Sequence, residues 1–326
     1  MELSNPLISI ILFLIIIAVT IIITNFLGFL KEKHRLKHLR NFINRFDYLN
    51  NSDVETLLKE KDDVSINSLL LLAMAFEKDG DYEKSLNIYL AILEYIDKNE
   101  KFDILQRVAN VYFKAGFLHK SRESLLEILR SKPRNKNALK LLLVVDDKLK
   151  NYDEMENILE IFEELEVNVD KEKSYLLFKK ALLNMDKEEI EKLVSNYSYL
   201  KRNYVTYMIY NNPMKVFEKI TNNDVYEMID IFYNYNTLPP KNEALIQIKA
   251  AKKELKTTIK SPIFELEVLK HLPEHLADLE FEYICKNCKH IYPIYEDRCP
   301  NCKELFSFKV ESIISPFNLK YRESYN

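Results

Sequence analysis

The chain has 326 residues, of which 30% are charged and 47% are hydrophobic, and it contains only three glycines. This composition favours a mainly helical protein with few tight turns, and the length allows one extended domain or two compact ones. A formal net charge of -3 gives no general reason to expect a nucleic acid as partner.

An apolar stretch without a charged side chain runs from Leu7 to Leu30. As a helix it would be roughly 36 Å long, which is enough to cross about 30 Å of hydrocarbon. A cleaved signal peptide is the alternative, but such a peptide needs a basic leader and a shorter apolar core, and Glu2 is the only charged side chain before this stretch. We therefore predict a transmembrane helix at 7–30, with residues 1–6 on the extracytoplasmic side.

Basic residues are concentrated directly after this span, in a segment that we take as 31–49. They are Lys31, Lys33, Arg35, Lys37, Arg40 and Arg45, and no lysine or arginine precedes the span. The positive-inside bias then places this segment and the rest of the chain in the cytoplasm. Contact with anionic headgroups is a second interpretation of the basic segment. The simpler interpretation is that the segment is a topology signal only.

Residues 50–260 have the spacing of short amphipathic helices with an internal repeat. Turn segments begin at Gly80, Gly116 and Lys150, and a helical pattern precedes and follows each of them. With a small residue at the close helix contact and Pro133 near one exit, these units resemble tetratricopeptide repeats (TPRs). We assign repeats to 66–99, 102–135 and 136–169, and degenerate repeats after 170.

Stacked helix pairs of this kind form a solenoid with a concave groove for protein partners, because neither helix of a pair can bury its apolar face alone. Gly80 and Gly116 suit the turn, since a left-handed backbone costs little only for glycine. Lys150 departs from this pattern. The tyrosines between 197 and 235 lie at helical spacing beside apolar residues, which favours packing over stacking on nucleic-acid bases.

A connecting helix is predicted over 261–280. It contains His271-Leu-Pro-Glu274-His275, which matches an inverted zinc-protease pattern. That chemistry needs both histidines on one face of an intact helix, and Pro273 removes a backbone donor between them. We therefore expect no protease site, and the sequence contains no other set of nucleophile and base. The protein is predicted not to be an enzyme.

All four cysteines lie in one predicted β domain at 281–313, which is followed by a tail at 314–326. They form two hooks, Cys285-Lys-Asn-Cys288 and Cys299-Pro-Asn-Cys302. Each hook can aim two thiolates at one point, and the two together complete a tetrahedral set for one metal ion. Short apolar runs on either side predict a few strands. So small a domain has little core, so the ion would supply on the order of 10 kcal/mol of its folding free energy.

Other interpretations of the cysteines fit less well. Disulfides are rare in a long chain that is otherwise free of cysteine, and a redox Cys-x-x-Cys needs a helix start in a βαβ setting. Zinc and iron both accept four thiolates, so either metal satisfies the pattern. His290 lies close to the first hook, but four thiolates already fill the coordination shell.

The order of anchor, repeats and paired hooks resembles the lipopolysaccharide assembly protein B family over essentially the whole chain. The resemblance is sharpest at Tyr283-Ile-Cys285-Lys-Asn-Cys288-Lys and Arg298-Cys299-Pro300-Asn-Cys302. It implies a rubredoxin-like domain, usually described as binding iron and packed against the TPRs, with these four cysteines as ligands. It also implies a bacterial inner-membrane adaptor that presents the lipid A deacetylase to the membrane protease FtsH and so limits lipopolysaccharide production.

The chain departs from this family at several points. It has fewer clear repeats, and Lys289 and Lys303 follow the hooks where rubredoxin knuckles favour glycine. The departure leaves the metal identity open, and we favour zinc as a structural ion. An iron-thiolate electron-transfer protein and a zinc-ribbon nucleic-acid binder are the alternative functions. The second would need more basic residues around the hooks than this chain has.

Overall fold

A computed structural model describes residues 63–96 and 100–316 of the chain. The predicted transmembrane helix at 7–30, the basic segment at 31–49 and most of the predicted tail lie outside the described residues. Within the described ranges, none of the helices has the length and apolar character needed to span a membrane. The described chain is mainly helical, as the composition predicts, and it ends in a small antiparallel sheet.

The chain divides into two compact units, with the boundary between Glu154 and Met155. The described helices of the first unit are α1 (Asp63–Asp79), α2 (Tyr82–Tyr95), α3 (Lys101–Lys114), α4 (Leu118–Ser131) and α5 (Lys136–Leu149). Helix α6 (Tyr152–Glu164) contains the boundary. The core of the first unit includes Leu72, Phe76, Tyr89 and Ile92 from α1 and α2, all of them nearly inaccessible to solvent.

The described part of the second unit continues with eight helices, most of them shorter, and three strands. They are α7 (Asp170–Leu183), α8 (Lys187–Asn196), α9 (Lys201–Asn211), α10 (Pro213–Lys219), α11 (Asn222–Glu227), α12 (Ile229–Tyr233), α13 (Glu243–Ala251), α14 (Phe264–His271), β1 (Ala277–Cys285), β2 (Ile291–Tyr292) and β3 (Phe308–Pro316). A short 3-10 helix, Ser198–Leu200, precedes α9. The core of this unit joins helices α9 to α14 to the inner face of β1.

Four turns between paired helices share one backbone geometry. The residue at the bend is left-handed in each, with φ of 88° at Gly80, 82° at Gly116, 60° at Lys150 and 54° at Met185. The next residue donates its N–H to a carbonyl in the last turn of the preceding helix, over 2.8 to 3.0 Å. This is the long hydrogen bond of a Schellman motif. The architecture is therefore repeat-like, and the turn at Met185 extends it into the region predicted to be degenerate.

A buried hydroxyl marks the close helix contact in the first two pairs. The Oγ of Ser85 donates to the carbonyl of Ala73 over 2.9 Å, and the Oγ of Ser121 donates to the carbonyl of Ala109 over 2.8 Å. All four residues are inaccessible to solvent. Alanine lets the helices approach closely enough for this bond, which satisfies a polar group that would be costly to bury alone.

The bend positions give a matched pair of stability predictions. A Cβ added at Gly80 meets no atom within 4 Å, so the cost of Gly80→Ala is that of a side chain at positive φ. We expect this change to lower the free energy of unfolding by about 1 kcal/mol. Lys150→Gly relieves the same strain at an exposed site and is expected to gain about 0.5 kcal/mol. Urea unfolding followed by circular dichroism measures both, and equal signs for the two variants would contradict the argument.

The small sheet has the order β2-β1-β3, and both pairings are antiparallel. Strand β1 pairs with β3 from Ala277 opposite Pro316 to Cys285 opposite Phe308. Because side chains alternate along a strand, Leu279 and Tyr283 face inward and are buried, while Glu280 is exposed. The sheet therefore delivers the first cysteine to the end of a strand whose inner face is fixed by the helical core.

The helix predicted over 261–280 is shorter than expected. Helix α14 ends at His271, and β1 begins at Ala277. Pro273 follows the helix and His275 has a left-handed φ of 61°, so the backbone turns between the two elements. His271 and His275 are therefore not on one intact helical face, as the argument against a protease site requires.

Candidate metal centre

The four cysteine thiols converge on one point. Their Sγ atoms all lie within 4.8 Å of one another, and Cys285 to Cys302 and Cys288 to Cys299 are each separated by 3.6 Å. A tetrahedral site with Zn–S distances of about 2.3 Å has S–S separations of about 3.8 Å. The thiols are free, so the disulfide interpretation is not supported. They are close enough to hold one metal ion, and among the described residues no other group of metal-ligating side chains converges in this way.

The two hooks have the same backbone hydrogen bonds. In the first, Cys285 N–H donates to the carbonyl of His290 and Lys289 N–H donates to the carbonyl of Cys285, both over 2.9 Å. In the second, Cys299 N–H donates to Glu304 over 3.0 Å and Lys303 N–H donates to Cys299 over 2.9 Å. Each hook is therefore a tight knuckle that fixes its own pair of sulfurs.

Both knuckles place a lysine where the backbone is left-handed, with φ of 62° at Lys289 and 66° at Lys303. A non-glycine residue costs about 1 kcal/mol there, which agrees with the strain expected from the sequence. We expect the double change Lys289→Gly and Lys303→Gly to slow transfer of metal to a competing chelator. Lys286→Gly is the control, because Lys286 is exposed and has no left-handed φ. Faster release from the double variant would contradict the strain argument.

The local environment shifts the pKa values of the Cys288 and Cys299 thiols in opposite directions. A backbone N–H from His290 lowers the pKa of the Cys288 thiol to about 5, and Cys288 is only partly buried. Burial raises the pKa of Cys299 to about 12. Cys288 is therefore the thiol that ionises more readily of the two, whereas a bound cation would have to stabilise the Cys299 thiolate. Four sulfur donors, two of them inaccessible, fit zinc or iron and do not fit magnesium or calcium.

Aromatic rings form most of the core around the knuckles. Tyr292 and Tyr295 each meet Phe308 edge to face, with centroids 5.5 and 5.8 Å apart, and Tyr295 meets Tyr283 at 5.6 Å. Together with the cysteines these rings make up one small buried cluster. The cluster is too small to hold the knuckle loops by apolar burial alone, which fits a domain that depends on an ion.

The second knuckle is attached to the helices of its own unit. Arg298, which directly precedes Cys299, is 5% exposed and donates both terminal nitrogens to the Glu172 carboxylate of α7, over 2.9 and 2.7 Å. Asp297 accepts from Lys179 of α7 over 2.9 Å and from Asn203 of α9 over 2.6 Å. The bond pair between Arg298 and Glu172 is charge-assisted and bidentate, which fixes orientation as well as position.

An aromatic contact completes this attachment. The ring of Phe306 stacks on Tyr199 with centroids 5.2 Å apart and meets Tyr175 edge to face at 5.7 Å. Tyr199 also shares a hydrogen bond of 2.7 Å with Ser174. The tyrosines of this region that the sequence assigned to packing thus serve partly to hold the cysteine domain.

A second attachment joins the sheet to the helices through one buried carboxylate. Asp230 of α12 is 4% exposed and accepts two hydrogen bonds from the Arg202 guanidinium and one of 3.0 Å from the Tyr283 hydroxyl. The same guanidinium lies 3.8 Å from the centroid of the Tyr295 ring. One ion pair therefore links α9, α12, β1 and the aromatic cluster beside the knuckles.

Sequence reasoning found the four cysteines but not the residues that attach their domain. Arg298 stood out only as part of the motif at the second hook, and nothing in the sequence pairs it with Glu172. Such pairs join positions far apart in the chain and carry no spacing signal. His290 is exposed, as the argument against its being a ligand expects. Comparison with models of known protein families gives no match to this chain, and comparison with curated proteins gives none either.

Proposed function

We propose that the chain is a membrane-tethered adaptor whose repeats bind a protein and whose cysteine domain holds one zinc or iron ion. The observation that carries this proposal is the attachment of a four-thiol site to repeat-like helices through Arg298 and Glu172. An ion at such a place would make the helical surface depend on an intact metal domain. Structural metal sites characteristically have four protein ligands and no open position.

The helix pairs support TPR-type repeats and a groove that binds protein, because their turns and buried serine contacts recur. The paired knuckles support a rubredoxin-like or zinc-ribbon-like domain. The apolar stretch at 7–30 and the basic segment at 31–49 support a single-pass anchor with the bulk of the chain in the cytoplasm. These three modules, in this order, support a role of the kind known for lipopolysaccharide assembly protein B, at the bacterial inner membrane.

In that role the adaptor has no catalytic activity of its own and presents the lipid A deacetylase to a membrane protease of the FtsH type. Depleting the protein should then raise the level of the deacetylase in the cell. Affinity capture of the full chain from membranes, followed by mass spectrometry, should recover both partners. Unchanged deacetylase after depletion would contradict this role, even if other proteins are captured.

A second candidate is electron transfer through an iron-thiolate centre. It is favoured by the partial exposure of Cys288 and Cys302, since an electron donor must approach the ligands. Visible absorption separates the two functions. A coloured protein that is bleached by reductant and recovers in air favours electron transfer, whereas a colourless protein with one zinc per chain removes it.

A further inference from the structure

The segment Lys286–Ile294, here called the basic loop, runs from the first knuckle through β2 to the two residues after it. It contains three basic side chains, Lys286, Lys289 and His290, and no acidic one. All three are exposed. The second knuckle is attached to α7 and α9, whereas this loop presents most of its side chains to solvent.

The same loop exposes aliphatic side chains. Ile291 is 56% and Ile294 is 72% exposed, and Pro293 between them is exposed as well. Their neighbours Tyr292 and Tyr295 face inward, where they contact Phe308. The backbone thus directs aromatic rings to the core and isoleucines outward. Exposure of two isoleucines to water is unfavourable, and their transfer to an apolar environment would lower the free energy.

Two nearby carboxylates are paired with groups outside the loop. Both oxygens of Asp297 are bonded to Lys179 and Asn203, and Glu311 pairs with Lys309. The surface therefore combines positive charge with exposed aliphatic groups in one short stretch.

We propose that the basic loop contacts an anionic lipid surface, with its lysines near the lipid phosphates and Ile291 and Ile294 in the headgroup layer. A lipid interface offers negative charge directly above an apolar layer, which matches cations and aliphatic side chains interspersed along one segment. A protein partner would more commonly offer a concave pocket for the isoleucines with separate acidic groups at its rim.

A loop of this size binds lipid weakly by itself, so the contact rests on the proposed membrane anchor, which holds the loop at a high effective concentration near the bilayer. The ion would support the contact indirectly, because the first knuckle forms one end of the loop. The lipid contact would fix the orientation of the cysteine domain, and of the helices attached to it, relative to the membrane.

The chain contains no tryptophan, so Ile294→Trp introduces a single fluorescent reporter. The full-length variant is reconstituted into zwitterionic vesicles and into vesicles that also contain anionic phosphatidylglycerol, each with brominated acyl chains. In the anionic vesicles we expect emission at shorter wavelength and quenching by bromine; in the zwitterionic ones we expect neither. Added salt should reverse the effect, since it screens exposed charges.

Tyr210→Trp is the matched reporter, because Tyr210 is 77% exposed on α9 of the same unit. It should remain unquenched, and equal quenching at both positions would overturn the proposal. Adding Lys286→Gln to the Ile294→Trp variant should weaken quenching without loss of bound metal. A reporter that ignores lipid but shifts on addition of polyglutamate would assign the loop to an acidic protein instead.

Vesicle flotation separates failure of this inference from failure of the anchor. If the chain floats with both vesicle types while its Ile294→Trp reporter stays unquenched, the anchor is supported and the lipid contact of the loop is contradicted. If it floats with anionic vesicles only and the reporter is quenched, the lipid contact is supported and the anchor is contradicted. A chain that floats with neither vesicle type overturns both.

Discussion

Cys299→Ser is expected to remove bound metal almost completely and to unfold the knuckles. Cys299 is inaccessible to solvent and belongs to both the sulfur cluster and the small aromatic core. Losing a structural ion costs on the order of 10 kcal/mol, far more than this core can replace. Elemental analysis should show about one ion per chain in the wild type and nearly none in the variant. Hydrogen exchange should rise sharply from Cys285 to Ser307.

Asn287→Ser is the matched control for this experiment. It lies in the first hook, is exposed and offers no thiolate. It should keep both the ion and the protection from exchange. The wild type treated with a strong chelator should reproduce the exchange pattern of Cys299→Ser. If the chelated wild type stayed fully protected, the proposal that an ion stabilises this domain would be wrong.

Asp230→Ala is expected to destabilise the second unit by about 3 to 5 kcal/mol. The change leaves the Arg202 guanidinium largely buried without its carboxylate and deprives the Tyr283 hydroxyl of its acceptor. Breaking a buried pair costs more than the pair contributed, because an uncompensated charge remains in the interior. Hydrogen exchange in α12 and β1 measures the loss where it occurs, since a chain with two units need not unfold in one step.

The double variant Arg202→Met and Asp230→Leu tests this physical reason. It removes both charges and keeps an apolar side chain at each position, so much of the lost stability should return. A double variant as unstable as Asp230→Ala would show that the interface needs the hydrogen bonds themselves. In that case Tyr283→Phe should also lower the stability of the second unit. If Tyr283→Phe is neutral and the double variant is stable, the unpaired charge explains the loss in Asp230→Ala.

Local patterns along the chain were enough to predict the mainly helical fold, the repeat-like helix pairs and the cysteine cluster. The helix pairs could be predicted because apolar spacing and the turn glycines are short-range signals. The Gly80 and Gly116 turns have the predicted conformation. Lys150 and Met185 adopt the same geometry without glycine. There the helices on either side impose the bend, and the turn residue accepts the strain.

The sequence by itself determined the repeat-like helix pairs and which four sulfurs can meet, because periodicity and the Cys-x-x-Cys spacing act over a few residues. The tertiary structure alone decided how the cysteine domain is attached. Arg298 and Glu172, or Arg202 and Asp230, are distant in the chain, and each resembles any other surface charge until folding excludes water around it. Burial turns such pairs into fixed contacts, and burial is a property of the whole packed unit.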